Sequence, residues 1–157
     1  MSDTSSKPRV LLVDDEQDYN DTITFWLKAK GYPVTQAASG IEALEILQGQ
    51  SHDVVFLDIN MPRMDGIETL RRIRERHAAL PVIMVTAAFQ AEVKFKEARA
   101  LGISGFFPKG SSLNQLGHVL EVALKMLRTT DRAGTLPAGE EIQPADGTAA
   151  AGDERGP

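Results

Sequence analysis

The sequence predicts an α/β fold, a doubly wound five-stranded parallel sheet with five helices. Two observations carry this expectation. Short, almost continuously apolar runs recur at residues 9–13, 53–58 and 81–86, each too brief for a helix and rich in β-branched side chains. Between them apolar residues fall at helical spacing, and a glycine closes several of these stretches. Strands that are apolar throughout belong to parallel sheets covered by helices on both faces. With 157 residues the chain is long enough for one packed domain and short for two.

Taken in order, residues 9–13 form the first strand. Ile23, Trp26, Leu27 and Lys30 then follow helical spacing up to Gly31, and residues 34–37 read as a weaker strand. Ser39 can cap a second helix carrying Ile41, Leu44 and Leu47, with Gly49 at its end. Residues 53–58 are the third strand, and Ile67, Leu70 and Ile73 mark a helix after Gly66. Residues 81–86 are the fourth strand, and the helix over 93–101 is closed by Gly102. Residues 105–107 are a short fifth strand, and Leu113, Leu116, Leu120, Leu124 and Leu127 stripe a last helix. The domain is expected over residues 9–128, after a polar leader at 1–8. From Thr129 the composition turns to Gly, Ala, Pro, Asp and Glu, which predicts a disordered acidic tail over 129–157.

Composition narrows the function. There is no cysteine, so disulfides and thiolate metal sites are excluded, and the chain suits a reducing cytoplasm. His52, His77 and His118 lack ligand-like spacing, which argues against structural zinc. The N-terminus is polar where a secretion signal needs an apolar run, and no stretch approaches the ~18 apolar residues of a membrane span. Residues 129–157 hold six acids and two arginines, or −4 of the net −5, which leaves −1 for residues 1–128. A nearly neutral domain gives no electrostatic reason to expect nucleic acid as a direct partner.

In an open parallel sheet, ligands bind at the carboxyl ends of the strands. After the first strand come Asp14, Asp15 and Glu16; the third ends in Asp58, the fourth in Thr86, and the fifth runs into Lys109. Carboxylates gathered at one rim repel, so they raise their pKa values or bind a cation. An oxygen-only set with few protein ligands suits Mg²⁺, which prefers a phosphate partner. A carboxylate can then act as nucleophile toward phosphorus. Asp58 could be the acceptor, with Asp15, Thr86 and Lys109 serving the transferred oxygens. Each residue alone has a plainer reading, as helix start, turn residue, β-former or surface lysine. Their joint placement at successive strand ends is what favours the chemical one.

Four segments carry a resemblance to a known family: VLLVDDE at 10–16, DVVFLDINMPRMDG at 53–66, PVIMVTA at 81–87 and GISGFFPK at 102–109. Over about residues 9–128 the chain resembles the receiver domains of two-component response regulators, as in single-domain, chemotaxis-type regulators. The resemblance implies a flavodoxin-like (βα)5 fold and a phosphoryl group taken on Asp58. Asp14 and Asp15 match the acidic pair, with Asp15 as the direct metal ligand, and Asn60 would lend its backbone carbonyl to Mg²⁺ or Mn²⁺. Thr86 and Lys109 would hold phosphate oxygens, Ala87 would leave room for them, and Thr86 with Phe106 would form the switch. Phe106 lacks a tyrosine hydroxyl, so no step in signalling can depend on one.

The commonest family pattern has proline after the lysine, joined by a cis bond; here Gly110 follows and Pro108 precedes. A trans Lys109–Gly110 bond is expected, because a cis bond before a residue other than proline costs ~2.5–4 kcal/mol. Gly110 is free to turn the chain through positive φ, with the lysine still aimed at Asp58. The implied partners are a sensor histidine kinase or phosphotransfer protein and an unidentified downstream protein target, with no membrane involved. The implied role is a phosphorelay signal in which the chain catalyses only its own phosphorylation and dephosphorylation, and is not an enzyme toward other substrates. Other classes are disfavoured. An aspartyl-nucleophile phosphatase commonly carries a second Asp where Asn60 stands. A flavin module would be repelled by the acidic run, and a non-phosphorylated scaffold would not need the cluster. No pattern of a second domain follows Leu127.

Overall fold

The computed structural model describes residues 7–87 and 92–133. Ten elements alternate along the chain: β1 (Val10–Val13), α1 (Gln17–Ala29), β2 (Val34–Ala37), α2 (Gly40–Gly49), β3 (Val54–Asp58), α3 (Gly66–Arg76), β4 (Val82–Thr86), α4 (Glu92–Leu101), β5 (Gly105–Pro108) and α5 (Leu113–Ala133). The strands form one parallel sheet in the order β2-β1-β3-β4-β5. This is the doubly wound, five-stranded architecture with five helices that the alternating pattern predicts.

The sheet separates two cores by simple alternation, because successive strand side chains point to opposite faces. Leu11, Val13, Val55, Leu57, Val82 and Met84 pack with residues of α2, α3 and α4, among them Leu47, Leu70, Ile73 and Ala98. Val10, Leu12, Val54, Phe56, Ile83, Val85 and Phe107 pack with α1 and α5 through Ile23, Leu27, Leu116 and Leu120. The central strands β1, β3 and β4 are buried at every position, which is why they read as unbroken apolar runs. Strands β2 and β5 lie at the edges and are only partly buried, so their signal is weaker.

Local chemistry fixes the helix ends. Ser39 accepts a hydrogen bond from the Glu42 amide and caps α2 as expected, and Asp65 does the same for α3 with Glu68. Gly31 and Gly102 both take φ of +97°, the left-handed stop that side chains disfavour. Arg74 of α3 donates to the carbonyls of Leu101, Gly102 and His77, so one guanidinium satisfies the ends of two helices. Burial lowers its pKa to about 10, which still leaves it charged at neutral pH.

Helix α5 continues to Ala133, five residues past the boundary drawn at 128. That boundary followed composition, yet no glycine or proline stands between Thr129 and Ala133 to stop a helix already under way. The tail expected beyond it lies, from residue 134 onward, outside the described residues, as do residues 1–6 of the leader.

No helix among the described residues is long and apolar enough to cross a membrane.

Candidate functional site

The order of the sheet reverses at β1 and β3, and the crevice at their carboxyl ends is where such folds bind ligands. Register brings the acids together there. Val13 pairs with Leu57, so the next residues, Asp14 and Asp58, emerge side by side. Asp58 in turn pairs with Val85, and Thr86, the following residue, pairs with Pro108 just before Lys109. Asp14, Asp58, Thr86 and Lys109 therefore meet on one rim.

Backbone hydrogen bonds hold each piece. The Asp14 amide donates to the Ala37 carbonyl, and the Asp14 carbonyl accepts from Nδ2 of buried Asn20 at 2.9 Å. Asp14 Oδ1 accepts from the Glu16 amide at 2.9 Å, which fixes one carboxylate oxygen and leaves Oδ2 to face the crevice. After Asp58 the chain turns back sharply: the Ile59 amide donates to Val85, and the Ile59 carbonyl accepts from Gly66 at 2.8 Å. A Cβ on Gly66 would lie 2.1 Å from the Asp58 carbonyl oxygen, so only glycine allows this approach. Arg63 in the same loop holds a left-handed φ of 67°. On β5, the Lys109 amide donates to the Thr86 carbonyl at 2.9 Å and aligns the lysine with the rim.

Asp14 and Asp58 are buried, Asp15 is exposed, and each of the three brings a carboxylate oxygen within 4.8 Å of the others. Lys109 Nζ lies 2.8 Å from Asp14 Oδ2 and 3.6 Å from Asp58 Oδ2, and it also pairs with Glu16. The contact with Asp14 is an ion pair and not a directed hydrogen bond, so buried Oδ2 has no hydrogen-bond partner. An all-oxygen set with such a buried carboxylate oxygen left without a hydrogen bond fits a small, hard divalent cation. Asp14, Asp15 and Asp58 are the side chains that could hold it.

The electrostatics follow from burial. Burial first, then the charge of Asp14, pushes the Asp58 carboxyl up to about 7, against the pull of the Lys109 ammonium and the Asn60 amide. Burial likewise raises Asp14, with Lys109 and the Glu16 amide restraining the shift. For Lys109 burial disfavours the charge, but the close carboxylates of Asp14, Glu16 and Asp58 outweigh that and hold it above the ordinary lysine value. The cluster is thus two buried carboxylates, both raised above the ordinary range, beside a lysine held in its charged form.

Residues 10–121 match the response regulator receiver domain family. The chain belongs to that family. Response regulator MprA of Mycobacterium bovis (strain BCG / Pasteur 1173P2) is 30% identical over 128 residues, covering 82% of this chain and 55% of that protein. Sensor kinase CckA of Brucella abortus is 36% identical over 126 residues, 79% of this chain and 13% of the kinase. The chain thus spans about half the length of MprA. Among solved structures, a CheY-like receiver domain protein from Methanospirillum hungatei aligns with TM-score 0.75 at 25% identity, covering 79% of this chain and 98% of that one. Chemotaxis protein CheY4 of Vibrio cholerae aligns with TM-score 0.65 at 32% identity, again 79% and 98%. Receiver domains are signalling modules, and not enzymes in the ordinary sense.

Within this receiver, Asp14, Asp15, Asp58 and Lys109 share the crevice, and Thr86 stands buried at its edge. Asn60 and Ala87 are exposed on the loops that follow Asp58 and Thr86. Phe106 lies off the crevice, against the α2–α3–α4 core, with its ring edge-on to Phe95. No peptide bond among the described residues is cis, so the Lys109–Gly110 bond is trans as expected. Gly110, however, does not use positive φ. The turn is closed instead by the Lys109 amide on Thr86 and the Ser111 amide on Pro108. The ammonium lies 3.6 Å from Asp58, toward which it was expected to point, and 2.8 Å from Asp14, so it stands between the two buried carboxylates.

Three residues join the cluster to which the sequence reading assigns no role: Glu16 as a partner of Lys109, Asn20 as the brace of Asp14, and Tyr19 beside the ammonium. Glu16 carried a signal, an acid adjoining the pair. Asn20 and Tyr19 carried none, since their positions depend on how the first turn of α1 docks on the sheet.

Proposed function

We propose that this receiver domain accepts one phosphoryl group on Asp58 from the phosphohistidine of a sensor histidine kinase or phosphotransfer protein. The observation that supports this most is Asp58 itself, a buried carboxylate at the switch point of the sheet, flanked by two acids and a lysine ammonium. An Asp58 carboxylate oxygen attacks phosphorus, the phosphorus–nitrogen bond breaks, and the imidazole leaves and takes up a proton. Water attack on the acyl phosphate later returns the carboxylate and inorganic phosphate. Lys109 would neutralise one phosphoryl oxygen and the Thr86 hydroxyl would hold another. Asp14 and Asp15, with Asp58 and the Asn60 carbonyl, would hold Mg²⁺ or Mn²⁺, which when bound offsets the charge of the phosphoryl oxygens.

Capture of a phosphate oxygen by Thr86 would then bias the arrangement of Phe106 and α4 and change affinity for a downstream protein, as a population shift. The reading places the protein in the cytoplasm, where its donors present their phosphohistidines. The test is intact-mass measurement of the full chain after incubation with acetyl phosphate and Mg²⁺. Wild type should gain one phosphoryl group and Asp58→Asn none. A wild type that gains nothing would point to a non-phosphorylated scaffold of the same fold.

A further inference from the structure

Among the described residues four groups lie against the ammonium of Lys109, and one of them is uncharged. Three are the carboxylates of Asp14, Glu16 and Asp58. The fourth is the ring of Tyr19, whose centroid lies 4.9 Å from Nζ. A cation this close to an aromatic face is attracted by the ring quadrupole, the more so where water is excluded. Water is largely excluded here, since the Lys109 side chain is only 12% exposed.

Tyr19 stands in the first turn of α1 and lines a small cavity together with Asp14, Asn20, Phe56, Val85 and Leu116. Its hydroxyl is buried and finds no hydrogen-bond partner among the described residues. Burial is the main reason the phenol is pushed up to about 12, so it stays neutral. A hydroxyl in that condition makes no bond that phenylalanine would lose. What Tyr19 does for its neighbour it does with its ring.

The ring matters because the carboxylates alone do not define one position. Glu16 is 63% exposed and can draw the ammonium toward solvent, while Asp14 and Asp58 are buried and draw it inward. An apolar face against the ammonium displaces water, strengthens attraction to the buried acids and adds its own pull.

We propose that Tyr19 is a positioning residue for Lys109, its ring holding the ammonium where it can neutralise a phosphoryl group on Asp58. This rests on the phosphoacceptor reading above. The experiment compares labelling rates with acetyl phosphate and Mg²⁺ for the full chain and for Tyr19→Phe, Tyr19→Leu, Lys109→Ala and the Tyr19→Leu/Lys109→Ala double variant. Tyr19→Phe should label within about twofold of wild type, whereas Tyr19→Leu should be slower by about five- to tenfold. In the Lys109→Ala background the leucine should cost less than about twofold, because the partner it acts through is gone. An equal loss in both backgrounds would assign Tyr19 a merely structural role and overturn the proposal, as would a phenylalanine variant as slow as leucine.

A second measurement needs neither a variant nor a phosphoryl donor. The ring current of Tyr19 should shift the Lys109 side-chain methylene protons upfield in the NMR spectrum of the wild type. Unshifted methylenes would overturn the contact itself. A wild type that takes no phosphoryl group overturns the phosphoacceptor reading and this role with it. A labelled wild type with an equally fast leucine variant overturns this role alone.

Discussion

The rings of Phe95 and Phe106 meet edge to face, with centroids 3.9 Å apart and planes at 79°, and so join α4 to β5 beside the crevice. Arg99 completes the group, its guanidinium 5.5 Å from the Phe95 ring. Helix α4 thus meets the sheet near Thr86 through an aromatic contact as well as through buried Ala98.

Phe106→Ala removes the aromatic contact. The variant should still take up a phosphoryl group within about twofold of wild type, while losing about 1–3 kcal/mol of stability for a half-buried aromatic. Phosphorylation-dependent amide shifts at Phe95 and Ala98, read by NMR, should shrink by more than half. If uptake and the α4 shifts fall together, Phe106 serves packing only.

Asp58 gives a pH prediction with a definite sign. Its folded pKa is about 7 against an ordinary 3.8, so its neutral form is favoured in the fold. The corresponding stability is fully present below the unfolded value, declines as pH rises, and is lost once pH passes about 7. Asp58→Asn removes the buried charge. It should therefore raise the thermal midpoint at pH 8, by an amount on the order of 2–4 kcal/mol in stability, and change little at pH 4. Mg²⁺ should raise the wild-type midpoint at pH 8 by mass action and affect the variant less. A variant advantage that is the same at both pH values would show that the carboxyl is not strained by its surroundings.

Gly66→Ala tests the loop that presents Asp58. The new methyl would meet the Asp58 carbonyl oxygen at 2.1 Å and the Ile59 Cα at 2.7 Å, both backbone atoms that cannot swing aside. The expected cost is about 3 kcal/mol or more, with a slower labelling rate because Asp58 is displaced. Calorimetry showing a loss under about 1 kcal/mol would mean that the loop yields easily.

What the sequence made legible depends on where the information resides. β1, β3 and β4 were readable because burial on both faces keeps them apolar up to the strand-end Asp58 and Thr86. Asp14, Asp58, Thr86 and Lys109 were readable because a parallel sheet obliges strand ends to converge. Helix α5 runs past the domain boundary expected at 128 because composition changes at Thr129 while the backbone remains free to continue to Ala133. The conformation of Gly110 was missed because hydrogen bonds from the Lys109 and Ser111 amides close the turn without a left-handed residue. Tyr19 and its contact with Lys109 join residues 90 positions apart through the docking of a helix, and no local pattern records such a contact.

Locating the modified residue tests the central claim most directly. The full chain would be labelled with acetyl phosphate and Mg²⁺, treated with borohydride to reduce any acyl phosphate, digested, and mapped by mass spectrometry. Phosphorylation on the Asp58 carboxylate predicts homoserine in place of Asp58 and at no other carboxylate. Reduction at Asp14 or Asp15 with Asp58 intact, or a stable phosphate on a serine or threonine, would contradict the account.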